Sequence, residues 1–153
     1  AAAWQFAGPG APMLYYGTEV GMWGANDPCD RQPMLWGDVA YDDETMGFRA
    51  PLLAPHPRAP DFDLFAFYQR LIAIRKSEPT LRRGAFRWLP APDDSTLVFE
   101  RELDGAKIVC AIRKGAGDVQ IDLPRAGRDL WTGEDVPAGP FAVPADGFRL
   151  VRL

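Results

Sequence analysis

The chain has little of several features that mark other protein classes. Its 153 residues hold two cysteines, Cys29 and Cys110, whose separation suits neither a disulfide framework nor a zinc-ligand pattern and predicts two free thiols. The single histidine, His56, stands between Pro55 and Pro57 in what reads as a loop. No apolar run approaches the roughly 20 residues that a membrane-crossing helix needs. No charged, apolar and small-residue sequence marks a secretory signal, so no membrane partner and a cytoplasmic location are expected. The 17 Lys and Arg residues collect in no basic stretch and the formal net charge is −4, which argues against a nucleic-acid partner. Internal repeats and low-complexity segments are absent. The chain opens Ala1-Ala2-Ala3-Trp4 without Met, from which an excised or processed piece of a longer protein is expected.

What remains is a globular composition, 47% hydrophobic, long enough for one sizeable core or two small ones. Ala1 to Phe6 reads as the last turns of a helix, stopped by Gly8-Pro9-Gly10. Pro12 to Tyr16, a short apolar run ended by Gly17, reads as a strand buried on both faces. From Gly17 to Pro60 the chain is rich in Gly, Pro and Asp with no sustained period, which predicts one long loop with short turns; loops of that length are usually functional or disordered. Asp61 or Asp63 can cap a helix to about Ser77, since Leu64, Phe65, Tyr68, Leu71, Ile72 and Arg75 recur at helical spacing. Glu78-Pro79 stops it.

From about Ala85 the text changes to short β-branched and aromatic runs: 86–89, 96–102, 107–113, 119–123, 141–143 and 148–153. These predict an antiparallel sheet domain. Asp104-Gly105 lies between two of the runs, and a tight hairpin needs the positive φ that this dipeptide tolerates.

Two motifs in register carry a family likeness. Gly10-Ala11-Pro12-Met13-Leu14-Tyr15-Tyr16-Gly17-Thr18-Glu19-Val20-Gly21-Met22 is followed by Asn26-Asp27-Pro28-Cys29-Asp30-Arg31-Gln32-Pro33-Met34-Leu35-Trp36. Together they resemble the eighth barrel strand and following loop of the α-amylase superfamily, glycoside hydrolase family 13, most nearly the cyclomaltodextrinase, neopullulanase and maltogenic amylase group. The 67–76 helix text with Pro79, Leu81, Arg82 and Gly84 resembles the family's last barrel helix, and Asp129-Leu130-Trp131-Thr132-Gly133-Glu134 a turn of its C-terminal sandwich. The resemblance implies an α/β plus all-β chain: residues 1–84 as the C-terminal end of a (β/α)8 TIM barrel, incomplete, then residues 85–153 as a small antiparallel β-sandwich, the amylase domain C. A buried strand feeding a polar loop is how such barrels build active sites.

Retaining glycosidases need a carboxylate nucleophile and a carboxylic acid about 5 Å apart. The family carries these after its fourth and fifth strands, with a third Asp beside a His after the seventh, and none of those motifs is in this chain. No catalytic residue, metal ligand or cofactor is therefore expected here. The resemblance implies that Asp27 and Arg31 contact glucose hydroxyls; a carboxylate accepts from two hydroxyls while a guanidinium fork donates to others. The alternative is an ion pair that only stabilises the loop. Cys29-Asp30 stands where many relatives have Asp-Cys, so the roles of that middle pair stay open. Trp23 is the best candidate to stack on a sugar ring, while Tyr15, Tyr16 and Trp36 also offer apolar faces and the two tyrosines suit core packing. Glu19 reads as a structural carboxylate near the site that receives backbone N–H groups, with Tyr16 beside it. Asp38, Asp42, Asp43 and Glu44 match no EF-hand spacing and read as a solvated acidic loop.

The expected function is thus that of the C-terminal fragment of a retaining α-glucan hydrolase acting on maltodextrins, contributing substrate contacts but not the catalytic carboxylates. The isolated chain is expected to be inactive. Its expected partners are a maltooligosaccharide or related α-glucan and the missing N-terminal barrel portion, with self-association open. A non-catalytic carbohydrate-binding module and a barrel-completing module are the alternatives.

Overall fold

A computed structural model describes residues 1–24, 27, 30–47 and 50–153. In chain order its elements are helix α1 (Ala2–Ala7), a 3-10 turn (Thr18–Val20), strands β1 (Glu44–Met46) and β2 (Pro51–His56), and helices α2 (Phe62–Ser77) and α3 (Pro79–Arg83). Strands β3 (Ala85–Trp88), β4 (Thr96–Leu103), β5 (Ala106–Arg113), β6 (Val119–Leu123), β7 (Gly127–Asp129), β8 (Asp135–Val136), β9 (Gly139–Val143) and β10 (Phe148–Arg152) follow. They form two compact units, Ala1–Pro12 with Leu71–Leu153, and Met13–Arg70. The change from helix to strand falls at Gly84–Ala85, whereas the compact units divide inside α2.

The first unit is a sandwich with helices. Its larger sheet runs β3-β4-β5-β10-β7-β8, and β6 pairs with β9 as a second, two-stranded sheet. Successive side chains on a strand point to opposite faces, and β4 and β5 are apolar on both. Val98, Val109, Ala111 and Val151 pack with Ile121, Leu123, Val136 and Val143 of the sandwich core. On the other face Phe99, Ile108, Cys110 and Leu150 pack with Ala7, Ile74 and Leu81 of the helices. The Asp104-Gly105 turn has φ of 49° and 83°, the doubly left-handed pair that a two-residue hairpin requires. Strands β7 and β8 have three and two residues, too short for a pattern of alternation to announce them.

Two buried arginines fasten α1 to this unit. Arg101 donates through Nη1 to the carbonyls of Ala7 (2.9 Å) and Gly8 (2.8 Å), through Nη2 to Gly84 (2.7 Å) and through Nε to Ala85 (3.3 Å). Arg75 donates to Phe6, Gly8 and Gly10. A helix leaves its last carbonyls without partners inside the helix, and cations at that end also suit its dipole. Here the guanidinium groups supply the missing donors. Burial lowers both guanidinium pKa values, and for Arg75 the neighbouring Arg101 adds to the effect.

The second unit is more irregular. The segment expected to be a barrel strand, Pro12 to Tyr16, has no regular secondary structure among the described residues and pairs with no strand. A barrel strand holds its form by bonding to a neighbour on either side, and among the described residues no sheet includes this segment. Within the region read as one long loop, β1 and β2 pair as a hairpin, with Glu44 opposite His56 and Met46 opposite Pro51. Asp61 caps α2 as the sequence suggests, its Oδ1 accepting from the Leu64 N–H at 2.8 Å.

Candidate functional site

The glycines of the first motif shape the turn that follows Tyr16. Gly17 has φ +87°, a backbone conformation that suits glycine, and a Cβ there would meet the Met22 side chain. Gly21 closes the other end of the 3-10 turn in the same left-handed region, at φ +69°. The turn is tied to the start of α2 by the Asp61 N–H, which donates to the Val20 carbonyl at 2.9 Å.

Beside this turn lies a cleft of about 220 Å3, lined among others by Tyr15, Tyr16, Thr18, Trp23 and Asp30. The Tyr15 and Tyr16 rings touch at 4.8 Å, and the Tyr16 hydroxyl donates to the Gln32 carbonyl at 2.9 Å. Desolvation of its phenol, with Tyr15 alongside, raises the Tyr16 pKa. The Gln32 amide in turn bonds the Glu44 carboxylate, which ties the motif loop to the β1–β2 hairpin. Trp23 is half-buried, with the His56 imidazole stacked on it at 4.9 Å and 18° between planes.

Arg31 Nε donates to Asp27 Oδ1 at 3.0 Å, and both side chains are about two-thirds exposed, 68% and 60%. The four-residue spacing therefore does bring guanidinium and carboxylate together on the surface. Asn26, Pro28 and Cys29 lie outside the described residues, and with them one of the two predicted thiols; Cys110 is free and buried. Glu19 stands in the 3-10 turn, and its Oε2 is buried without a hydrogen-bond partner among the described residues, where the sequence suggested backbone donors. Trp36 is 58% exposed and its backbone N–H donates to the Tyr41 hydroxyl. Among the described residues no three His, Cys, Asp or Glu side chains converge as a metal site would require, and Glu44 is engaged by Gln32 and the Met46 N–H.

His56 and Gln32 were not legible as site residues. Pro51-Leu52-Leu53-Ala54-Pro55-His56 carries two prolines in six residues, the signature of a segment outside a sheet. A larger cleft, about 490 Å3, lies in the first unit against Leu89, Pro92, Val98 and Ile121. Of its charged residues Arg87, Glu100 and Asp122, the first two are paired with each other at 2.9 Å, and no motif residue is among those that line it.

The chain is 35% identical over 142 residues to a cyclomaltodextrinase of a Bacillus species, a match that covers 92% of this chain and 20% of the relative. It is 30% identical over 139 residues to the intracellular maltogenic amylase of Bacillus subtilis, covering 85% of this chain and 20% of that protein. Among solved structures, maltogenic amylase from S. marinus superposes with a TM-score of 0.71 at 25% identity, covering 97% of this chain and 18% of the other. No protein-family model matches. These are proteins of the α-amylase superfamily, the glycoside hydrolases of family 13, and the chain is similar to their C-terminal part. Within that superfamily its likeness is to the cyclomaltodextrinase and maltogenic amylase group. The chain spans about a fifth of the length of these curated relatives.

Proposed function

We propose that this chain is the substrate-contacting C-terminal end of a retaining α-glucan hydrolase that acts on maltodextrins, its residues up to about 84 closing a (β/α)8 barrel. The observation that carries the reading is the Asp27–Arg31 pair, closed at 3.0 Å yet solvent-facing on both sides, in the motif loop whose Asp30 lines the cleft. A guanidinium that orients a carboxylate in this way presents both groups to sugar hydroxyls. The catalytic carboxylates belong to the longer protein, whose location we place in the cytoplasm, in line with the name of the Bacillus subtilis relative.

The test has two arms. The isolated chain should release no reducing sugar from maltotriose, pullulan or cyclodextrin, and turnover that follows the protein through successive columns would overturn the proposal. In the longer protein, Asp27→Ala and Arg31→Ala should each cost about 1.5–3 kcal/mol in kcat/KM, more on longer substrates than on short ones. Equal small losses on all substrates together with a lower melting temperature would make the pair a loop-stabilising one.

A second reading, that the chain completes a barrel by associating with another polypeptide or with itself, is favoured by Met13 and Tyr15. They are 77% and 56% exposed, large side chains left facing water. Stable co-purification with a polypeptide carrying the remaining barrel strands would support it.

A further inference from the structure

The proposed sugar platform, Trp23, has a neighbour that no motif predicts. His56 ends β2, where it is paired opposite Glu44. Its Nδ1 lies 3.0 Å from the Pro57 carbonyl oxygen, and a carbonyl only accepts, so Nδ1 carries the proton. That hydrogen bond fixes the imidazole plane, and the plane lies against the Trp23 indole at 4.9 Å and 18°. The hairpin is itself held to the motif loop by Gln32 and Glu44. The indole is therefore backed by a ring that cannot turn freely, and one of its two faces is occupied.

We propose that His56 is a positioning residue that holds Trp23 as a one-sided platform for a single glucose ring of an α-glucan, an inference that rests on the functional reading above. Three observations bear on it. The cleft beside Trp23, about 220 Å3, falls below the roughly 300–1,000 Å3 of pockets for drug-sized ligands and suits one ring. Apolar C–H faces of a pyranose match an aromatic plane, while Asp30, Tyr15 and Tyr16, which line the same cleft, are residue types able to bond its rim of hydroxyls, Tyr16 as an acceptor since its proton goes to the Gln32 carbonyl. A flat side chain fixed before binding loses less rotamer freedom when the sugar arrives, so the backing ring raises affinity without touching the ligand.

Saturation-transfer NMR of the full chain with maltotriose tests this. Irradiation of aromatic protein protons should reach the protons of one glucose ring in the wild type, and Trp23→Ala should abolish the transfer. His56→Ala should weaken maltotriose binding about threefold and blur the contact over several rings, while His56→Phe, which keeps a stacked plane, should stay within about twofold of wild type. Amide fingerprints report whether each variant folds; should His56→Ala not fold, His56→Gln takes its place, with the same expected loss. Wild-type affinity and ring selectivity in His56→Ala, or undiminished transfer in Trp23→Ala, would overturn the inference. Asp27→Ala separates it from the broader reading: if that variant loses binding while the Trp23 and His56 variants do not, the platform alone is wrong. If wild type shows no transfer at all, the platform inference falls, while the kcat/KM losses of Asp27→Ala and Arg31→Ala in the longer protein decide the broader reading.

Discussion

In the unit built on β4 and β5 the large apolar side chains are inside: Phe99, Ile108, Leu150 and Val151 are at most 1% exposed. In the other unit, Met13, Tyr15, Trp36, Met46, Leu53 and Phe62 are at least half exposed, and among its described residues only Val20, Leu35 and Tyr68 are apolar and buried. Composition does not explain the contrast, because both units are rich in aliphatic and aromatic residues. Strand partners do. Each central strand of the first unit is bonded on both edges and covered on both faces, whereas among the described residues of the second the strands form one short hairpin and the segment expected as a barrel strand has no regular secondary structure. Monomeric proteins rarely leave so much apolar surface in water unless something covers it. The second unit has the features of a piece of a larger fold, and the site motif lies in that piece.

The contrast can be broken most forcefully by truncation. Phe99→Ala, at a fully buried position, should cost the first unit about 3–5 kcal/mol, while Tyr15→Ala should change stability by less than about 0.5 kcal/mol. Urea unfolding followed by tryptophan fluorescence measures both, and similar losses would show that the second unit has a packed core of its own. Next in size is Arg101→Met, which removes the donors for four backbone carbonyls and should cost about 3 kcal/mol, with Arg101→Lys recovering part of it. A neutral result would mean that α1 is held by apolar packing alone.

Acid acts on the first unit in particular, because Asp93 and Glu100, two carboxylates held by cationic partners, lie there. Hydrogen bonds from Arg113 and Thr96 hold Asp93 below its usual range. Burial alone would raise Glu100, but bonds from Arg87 and Lys107 outweigh it and leave that carboxyl below its usual range too. A carboxyl whose pKa is lower in the folded state adds stability above its unfolded pKa, about 4, and loses it as pH falls through the folded value. The melting temperature of the first unit should thus be flat from about pH 5 to 7 and fall below about pH 4, less steeply in Asp93→Asn. The smallest effect concerns chemistry rather than stability. Cys110 is fully buried and burial pushes its thiol pKa up, so peptide mapping after brief alkylation should find it unmodified in native protein and modified in urea.

The sheet domain was legible because its signals are local. Alternating β-branched runs locate β4, β5 and β6 to within a residue or so, and Asp104-Gly105 fixes a hairpin whose φ angles only such residues adopt readily. The α2 cap was legible in Asp61 for the same reason. Strands β7 and β8 were not, being too short to show a period, nor was the β1–β2 hairpin, where Pro51 and Pro55 read as loop. Among site residues, the Asp27–Arg31 pairing follows from four-residue spacing. His56 behind Trp23 does not, since 33 positions separate them and only the fold brings the rings together. The pairing of Arg101 with the end of α1 spans more than 90 residues and has no local signature at all.

Hydrogen exchange on the isolated chain, with its mass in solution measured in parallel, addresses the central claim most directly. Backbone amides open with free energies that track local packing. Exchange should be slow across β4, β5 and β10 and through the Asp104-Gly105 hairpin and fast across 13–23 and 30–47, or slowed there only in self-associated protein. Uniform strong protection from Met13 to Arg70 in a monomer would show that this half folds without the rest of a barrel, and would contradict the account.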